Sequence, residues 1–137
     1  MIEQRQKSRE FDLEERLINF SVRVIDVVDA LPNTRVGNHI ANQLVRSGTS
    51  PAANYAEAQG AESRRDFIHK MKLVLKELRE SYIWLLIIKR KSLMKPDGLL
   101  AQVLSESNEL ISIFVVSIAT AQKKRQSLTS EFDIHNS

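Results

Sequence analysis

In 137 residues the sequence contains no cysteine, four glycines, three prolines and three histidines. Without cysteine there are no disulfides and no thiolate metal sites, a composition that suits a reducing compartment. The few helix breakers act as punctuation: Pro32, Pro51 and Pro96 fall where the apolar periodicity shifts. Long apolar runs are also missing, the longest falling far short of the roughly 20 residues that span a bilayer. The amino-terminal stretch MIEQRQKSREFDLEER is dense in charge and has no apolar region of the signal-peptide kind. These absences predict a cytoplasmic protein with no membrane segment. What is present, 42% hydrophobic and 27% charged residues with a net charge of +3, is ordinary for one soluble domain with a real core.

The apolar residues step by four and three. Leu13, Leu17, Phe20, Val24, Val27 and Leu31 make one face of an amphipathic helix. The rhythm recurs at Phe67, Met71, Val74, Leu78, Ser81, Leu85 and Ile88, and again at Leu100, Leu104, Ser107, Ile111, Phe114, Ile118 and Ala121. Three long helices with near-coiled-coil seams follow from this spacing. Leu31-Pro32-Asn33-Thr34 ends the first helix, and Asn33 or Thr34 can cap the next. Ser63 can cap the third, with Asp66 placed where a carboxylate favours the helix dipole. Lys95-Pro96-Asp97-Gly98 reads as a turn, after which a fourth helix runs to about Lys124. The predicted organisation is a bundle over 1–125 and a flexible tail over 126–137.

Between the first and third helices lies QLVRSGTSPAANYAEAQG, residues 43–60. Val36, Ile40, Gln43, Ser47, Ser50, Asn54 and Glu57 form one stripe if a helix continues through it. Gly37, Ala41, Leu44, Gly48, Pro51, Tyr55 and Ala58, mostly small, form a second. Small residues permit close helix approach, and Pro51 predicts a kink near 47–51, with Ser50 able to cap a restarted helix. A catalytic reading would make Ser47 or Ser50 a nucleophile with His39 or His69 as base. The strand-turn-helix setting of a nucleophile elbow is missing. Asp66-Phe67-Ile68-His69 supplies one carboxylate-x-x-His motif where a di-iron bundle needs two. No P-loop, dinucleotide fingerprint or zinc signature occurs, so no enzyme activity, metal or cofactor is expected. The polar residues instead suggest a structural network of Gln43, Arg46, Ser50, Asn54 and Glu57 with Glu77 and Glu80, on or beside the bundle interior.

The pattern Gln43-x-x-Arg46-Ser47-x-x-Ser50-x-x-x-Asn54-x-x-Glu57, followed by Asp66-Phe67, Glu77-x-x-Glu80 and YIWLL, resembles the 23S rRNA intervening sequence proteins over roughly residues 13–122. That resemblance implies an up-down four-helix bundle assembled as a homopentamer around an axial channel, with no established activity. The family is also similar in fold to the accessory variability determinants of diversity-generating retroelements, basic pentameric bundles that bind reverse transcriptase and nucleic acid. Tyr55 and Ala58 stand where an aliphatic residue and glycine are frequent in the family.

Charge is unevenly placed, because residues 63–95 carry ten Lys or Arg against three acids. Arg65, His69, Lys72, Lys76 and Arg79 step by four and three opposite the Phe67–Ile88 seam, a candidate phosphate-binding stripe for RNA or DNA. Ile83 and Ile87 continue that line, and Ile113 and Val116 add apolar surface beyond the fourth helix's seam. With Trp84 as anchor, these predict subunit association. The sequence therefore predicts an all-α, up-down four-helix bundle with a kinked second helix, a homo-oligomer that binds nucleic acid or nucleoprotein. A structural adaptor for a protein partner is the alternative.

Overall fold

The computed structural model describes the backbone of residues 2–96 and 98–136, and the side chains of 12–96 and 98–130. Four helices follow in order: α1 (Ile2–Asp29), α2 (Arg35–Gln59), α3 (Arg64–Lys91) and α4 (Gly98–Asn136), with no strand among the described residues. Short connections make sequential helices antiparallel neighbours. Helix α2 packs against α1 and α3, α4 packs against α3, and a shorter seam between α1 and α4 closes the bundle.

Each start has a chemical cause. Thr34, in extended backbone, accepts a hydrogen bond from Gly37 N at 3.0 Å, and Ser63 does the same for Asp66 N at 3.0 Å. These caps satisfy amides that have no partner within the first turn. Helix α3 stops at Ser92, whose left-handed φ of 54° lets the amides of Ser92 and Leu93 return to the carbonyls of Lys89 and Ile88. The predicted turn follows, although Asp97 lies outside the described residues.

The core is built from Leu17, Phe20, Val24 and Val27 of α1, Met71, Val74, Leu78, Leu85 and Ile88 of α3, and Val103, Leu110, Phe114 and Ile118 of α4. Phe114 meets Tyr55 of α2 edge-on across the bundle, with ring centroids 5.9 Å apart. Helix α2 contributes its small-residue stripe: Gly37, Leu44, Gly48, Pro51, Tyr55 and Ala58 are buried. At Gly48 the reason for smallness is explicit, since a Cβ there would lie 2.5 Å from Val24 Cγ1. Ser21 Oγ also donates to the Gly48 carbonyl at 3.2 Å, so α1 and α2 are in close approach at this level.

Two sequence expectations need correction. Helix α2 does not restart at Ser50 but continues as one helix from Arg35 to Gln59 through Pro51, so Ser50 caps nothing; its Oγ donates back to the Arg46 carbonyl at 2.6 Å. Thr49 makes the same bond to Val45, also at 2.6 Å. Such back-bonding lets hydroxyl residues sit inside a helix that Pro51 already deprives of one N–H. At the other end, α4 does not stop near Lys124 but continues helical to Asn136, because no glycine or proline follows Gly98. Ser137 and the side chains from 131 onward, part of the predicted tail, lie outside the described residues.

Helix α4 over Gly98–Ser130 is long and apolar enough, by length and composition, to cross a membrane. Its buried side chains, Val103, Leu104, Ser107, Leu110, Phe114, Ile118 and Ala121, face the bundle.

Candidate nucleic-acid interface

Helix periodicity places Arg65, His69, Lys72, Lys76 and Arg79 on one outward line of α3, and all five are exposed. None is in an ion pair among the described residues. Cations on the flanks behave differently. Arg46 of α2 reaches Glu77 at 3.1 Å and Glu80 on α3, and Lys70 of α3 reaches Glu57 of α2 at 2.7 Å. On the far seam Arg16 of α1 grips Glu106 through two parallel bonds of 3.0 Å and adds Glu109 at 2.8 Å, both on α4. Hydrogen bonding to Glu106 raises the Arg16 pKa further, against a smaller opposing effect of burial. The Arg46 and Lys70 pKa values are likewise raised, chiefly by hydrogen bonds to Glu80 and Glu57. The Arg46 and Lys70 pairs each keep one half-exposed partner, so they orient helices more than they stabilise them, whereas the two-bond Arg16–Glu106 pair is partly buried.

The polar network therefore sits on the α2–α3 flank. Gln43 touches Arg46 at 3.5 Å, a marginal bond. Asn54 is half-buried and, among the described residues, makes no side-chain hydrogen bond, so it does not join the network; Glu57 pairs with Lys70 of α3. Ser47 lies inside the bundle, fully buried, its hydroxyl 2.9 Å from that of Ser81 on α3. Ser81 is also 2.9 Å from the Glu77 carbonyl, so one hydroxyl can donate to the other while the second donates to backbone. Among the described residues no three His, Asp or Glu side chains come together as a metal site.

Apolar surface remains. Ile83 and Ile87 extend the α3 line and are 54% and 38% exposed, Val116 is 65% exposed, and Ile113 is half-buried. Trp84 is packed against the core between α3 and α2, edge-on to His39, with its indole N–H buried and unpartnered. Sequence reasoning missed a further line on α1, Ile18, Val22 and Ile25, all more than two-fifths exposed. Their four-and-three spacing beside the core line was the available signal.

The family described as 23S rRNA-intervening sequence protein matches residues 9–115. The chain belongs to that family. A crystal structure of a protein with unknown function from the S23 ribosomal protein family of Bacteroides thetaiotaomicron is similar to this intervening sequence protein family member, with a TM-score of 0.71 and 30% identity. The likeness covers 77% of this chain and 97% of that one. No curated protein matches. In this family member the paired cations stitch helices together, and among the described residues the outward line on α3 forms no ion pair.

Proposed function

We propose that the protein is a non-enzymatic, cytoplasmic, oligomeric accessory factor that binds nucleic acid or a nucleoprotein through the outward face of α3. The observation that carries this reading is the line Arg65, Lys72, Lys76 and Arg79: four cations and His69, all exposed and free of ion pairs among the described residues. Steps of three and four residues place successive charges about 5 Å apart along the helix. That arrangement suits a phosphate backbone and supplies no base-reading set, so affinity rests on counterion release and sequence preference is weak. The homopentamer implied by the family resemblance would multiply the stripe, and the exposed Ile83, Ile87, Val116 and α1 line supply apolar area for such contacts. In the retroelement-like form of this reading the nucleoprotein contains a reverse transcriptase. Burial of the Ser47 hydroxyl against Ser81 favours a structural use of that serine over a nucleophilic one.

The test is binding of structured RNA and of duplex DNA across a salt series, with light scattering expected to give five chains per particle. Log affinity is expected to fall with log salt by about 0.7 per phosphate on single strands and about 0.9 on duplex DNA. Combined Lys72→Glu, Lys76→Glu and Arg79→Glu, in a variant of unchanged assembly state, should weaken binding at low salt and flatten that slope. Unchanged affinity and slope would leave a solvated helix face and favour the protein adaptor.

A further inference from the structure

Helices α3 and α4 can be compared by length. The 28 residues of α3, Arg64–Lys91, rise about 42 Å, and an equal rise along α4 from Gly98 ends at Arg125. The two helices are antiparallel neighbours joined by a short turn, so Arg125 stands level with Arg64 at the end of the bundle where α2 turns into α3. Lys123, Lys124 and Arg125 are all exposed and, among the described residues, form no ion pair. Arg64 and Arg65 of α3 are equally exposed and unpaired there. Among the described residues this end thus carries five cations against the carboxylates Glu62 and Asp66. Beyond it α4 projects for 11 more residues, about 16 Å, past the first turn of α3. Lys123, Lys124 and Arg125 lie beyond the family match, which ends at residue 115, whereas Arg64 and Arg65 lie within it.

We propose that Lys123, Lys124 and Arg125 form, with Arg64 and Arg65, a second phosphate-contacting patch that carries a nucleic-acid backbone from the α3 stripe across the bundle end onto α4. The proposal rests on the reading of α3 as a nucleic-acid face, and adds to it a path: one line of cations along α3 and a turn of the strand across to α4. Cations on two adjacent helices can hold more phosphates than a single row, which steepens the salt dependence of binding accordingly. RNA and DNA share this chemistry, and both are used as probes.

The experiment compares four full-length proteins by salt-dependent binding to a structured RNA and a DNA duplex: wild type, the α3 variant K72E/K76E/R79E, the α4 variant K123E/K124E/R125E, and a control of equal charge change at the opposite end, K89E/K91E/K95E. Circular dichroism and light scattering check that helix content and assembly are kept, which exposed positions permit. The α4 variant is expected to lose affinity at low salt and to reduce the log-log slope by about 0.7 to 0.9 for each phosphate released, while the control keeps most of the wild-type slope. If the α3 variant loses binding but the α4 variant retains wild-type affinity and slope, the patch is refuted and the α3 reading stands. Equal losses in the α4 variant and the control would reduce the effect to net charge and also refute it. If wild type binds neither probe at low salt, both readings fall together.

Discussion

Phe114→Ala is expected to be the most damaging single truncation, lowering stability by about 3 to 5 kcal/mol. The ring is wholly inaccessible to solvent and lies where α4 looks across the bundle to Tyr55 of α2. Its removal leaves a cavity in the fully buried core, where packed helices limit collapse into the space. The edge-on contact with Tyr55 adds about 0.5 to 1.5 kcal/mol beyond area burial. Phe114→Leu, which keeps most of the volume, should cost far less. Urea unfolding monitored by circular dichroism measures both; a Phe114→Ala midpoint within error of wild type would contradict the core described above.

Gly48→Leu should come next, with a net loss of about 2 kcal/mol. Leucine is the better helix former by roughly 1 kcal/mol, which opposes the damage. Overpacking costs about 1 to 3 kcal/mol, occasionally more, and here falls at the severe end, since the first added atom would already meet Val24 Cγ1 at 2.5 Å and Cγ2 at 2.8 Å. Widening the seam would pull the packed Leu17, Phe20 and Leu44 apart. A double-mutant cycle gives the sharper measurement: Val24→Ala added to Gly48→Leu should restore part of the loss, a coupling within the 0.5 to 3 kcal/mol seen for residues in contact. Simple additivity would place the clash elsewhere.

The seams of α1 and α3 were legible because the four-and-three step runs unbroken along each helix through Leu17, Phe20, Val24 and Val27, or Met71, Val74, Leu78 and Leu85, while their further apolar residues, Ile18, Val22 and Ile25 or Ile83 and Ile87, are interrupted by charges or confined to one end. Helix α4 was harder. It is apolar nearly all round, so spacing favoured Leu100 and Ile111, whereas the fully buried positions include Val103 and Leu110. In α2 the small-residue stripe signalled close packing, but only the structure makes that stripe the core and sends Gln43, Asn54 and Glu57 to the flank. Arg46 could be matched with Glu77 and Glu80 through their spacing on neighbouring helices. Arg16 could not be matched with Glu106, 90 residues away, because nothing local in either helix marks the other. Exposure of the α3 cations was readable from the seam opposite them, while their ligand is a property of a partner and leaves no trace in helix periodicity.

The short α1–α4 seam has a kinetic meaning. Every other helix contact joins neighbours along the chain, so those contacts close small loops and form at low entropic cost. Docking of α1 on α4 closes the longest loop and, among the described residues, is rewarded by fewer contacts, with Arg16 as a polar stitch. The bundle should therefore assemble as α2–α3–α4 with α1 settling last, and α1 should be the first helix to open under native conditions. Amide exchange faster in the interior of α1 than in α3 would report that order; uniform exchange across the four helices would speak for a single cooperative unit.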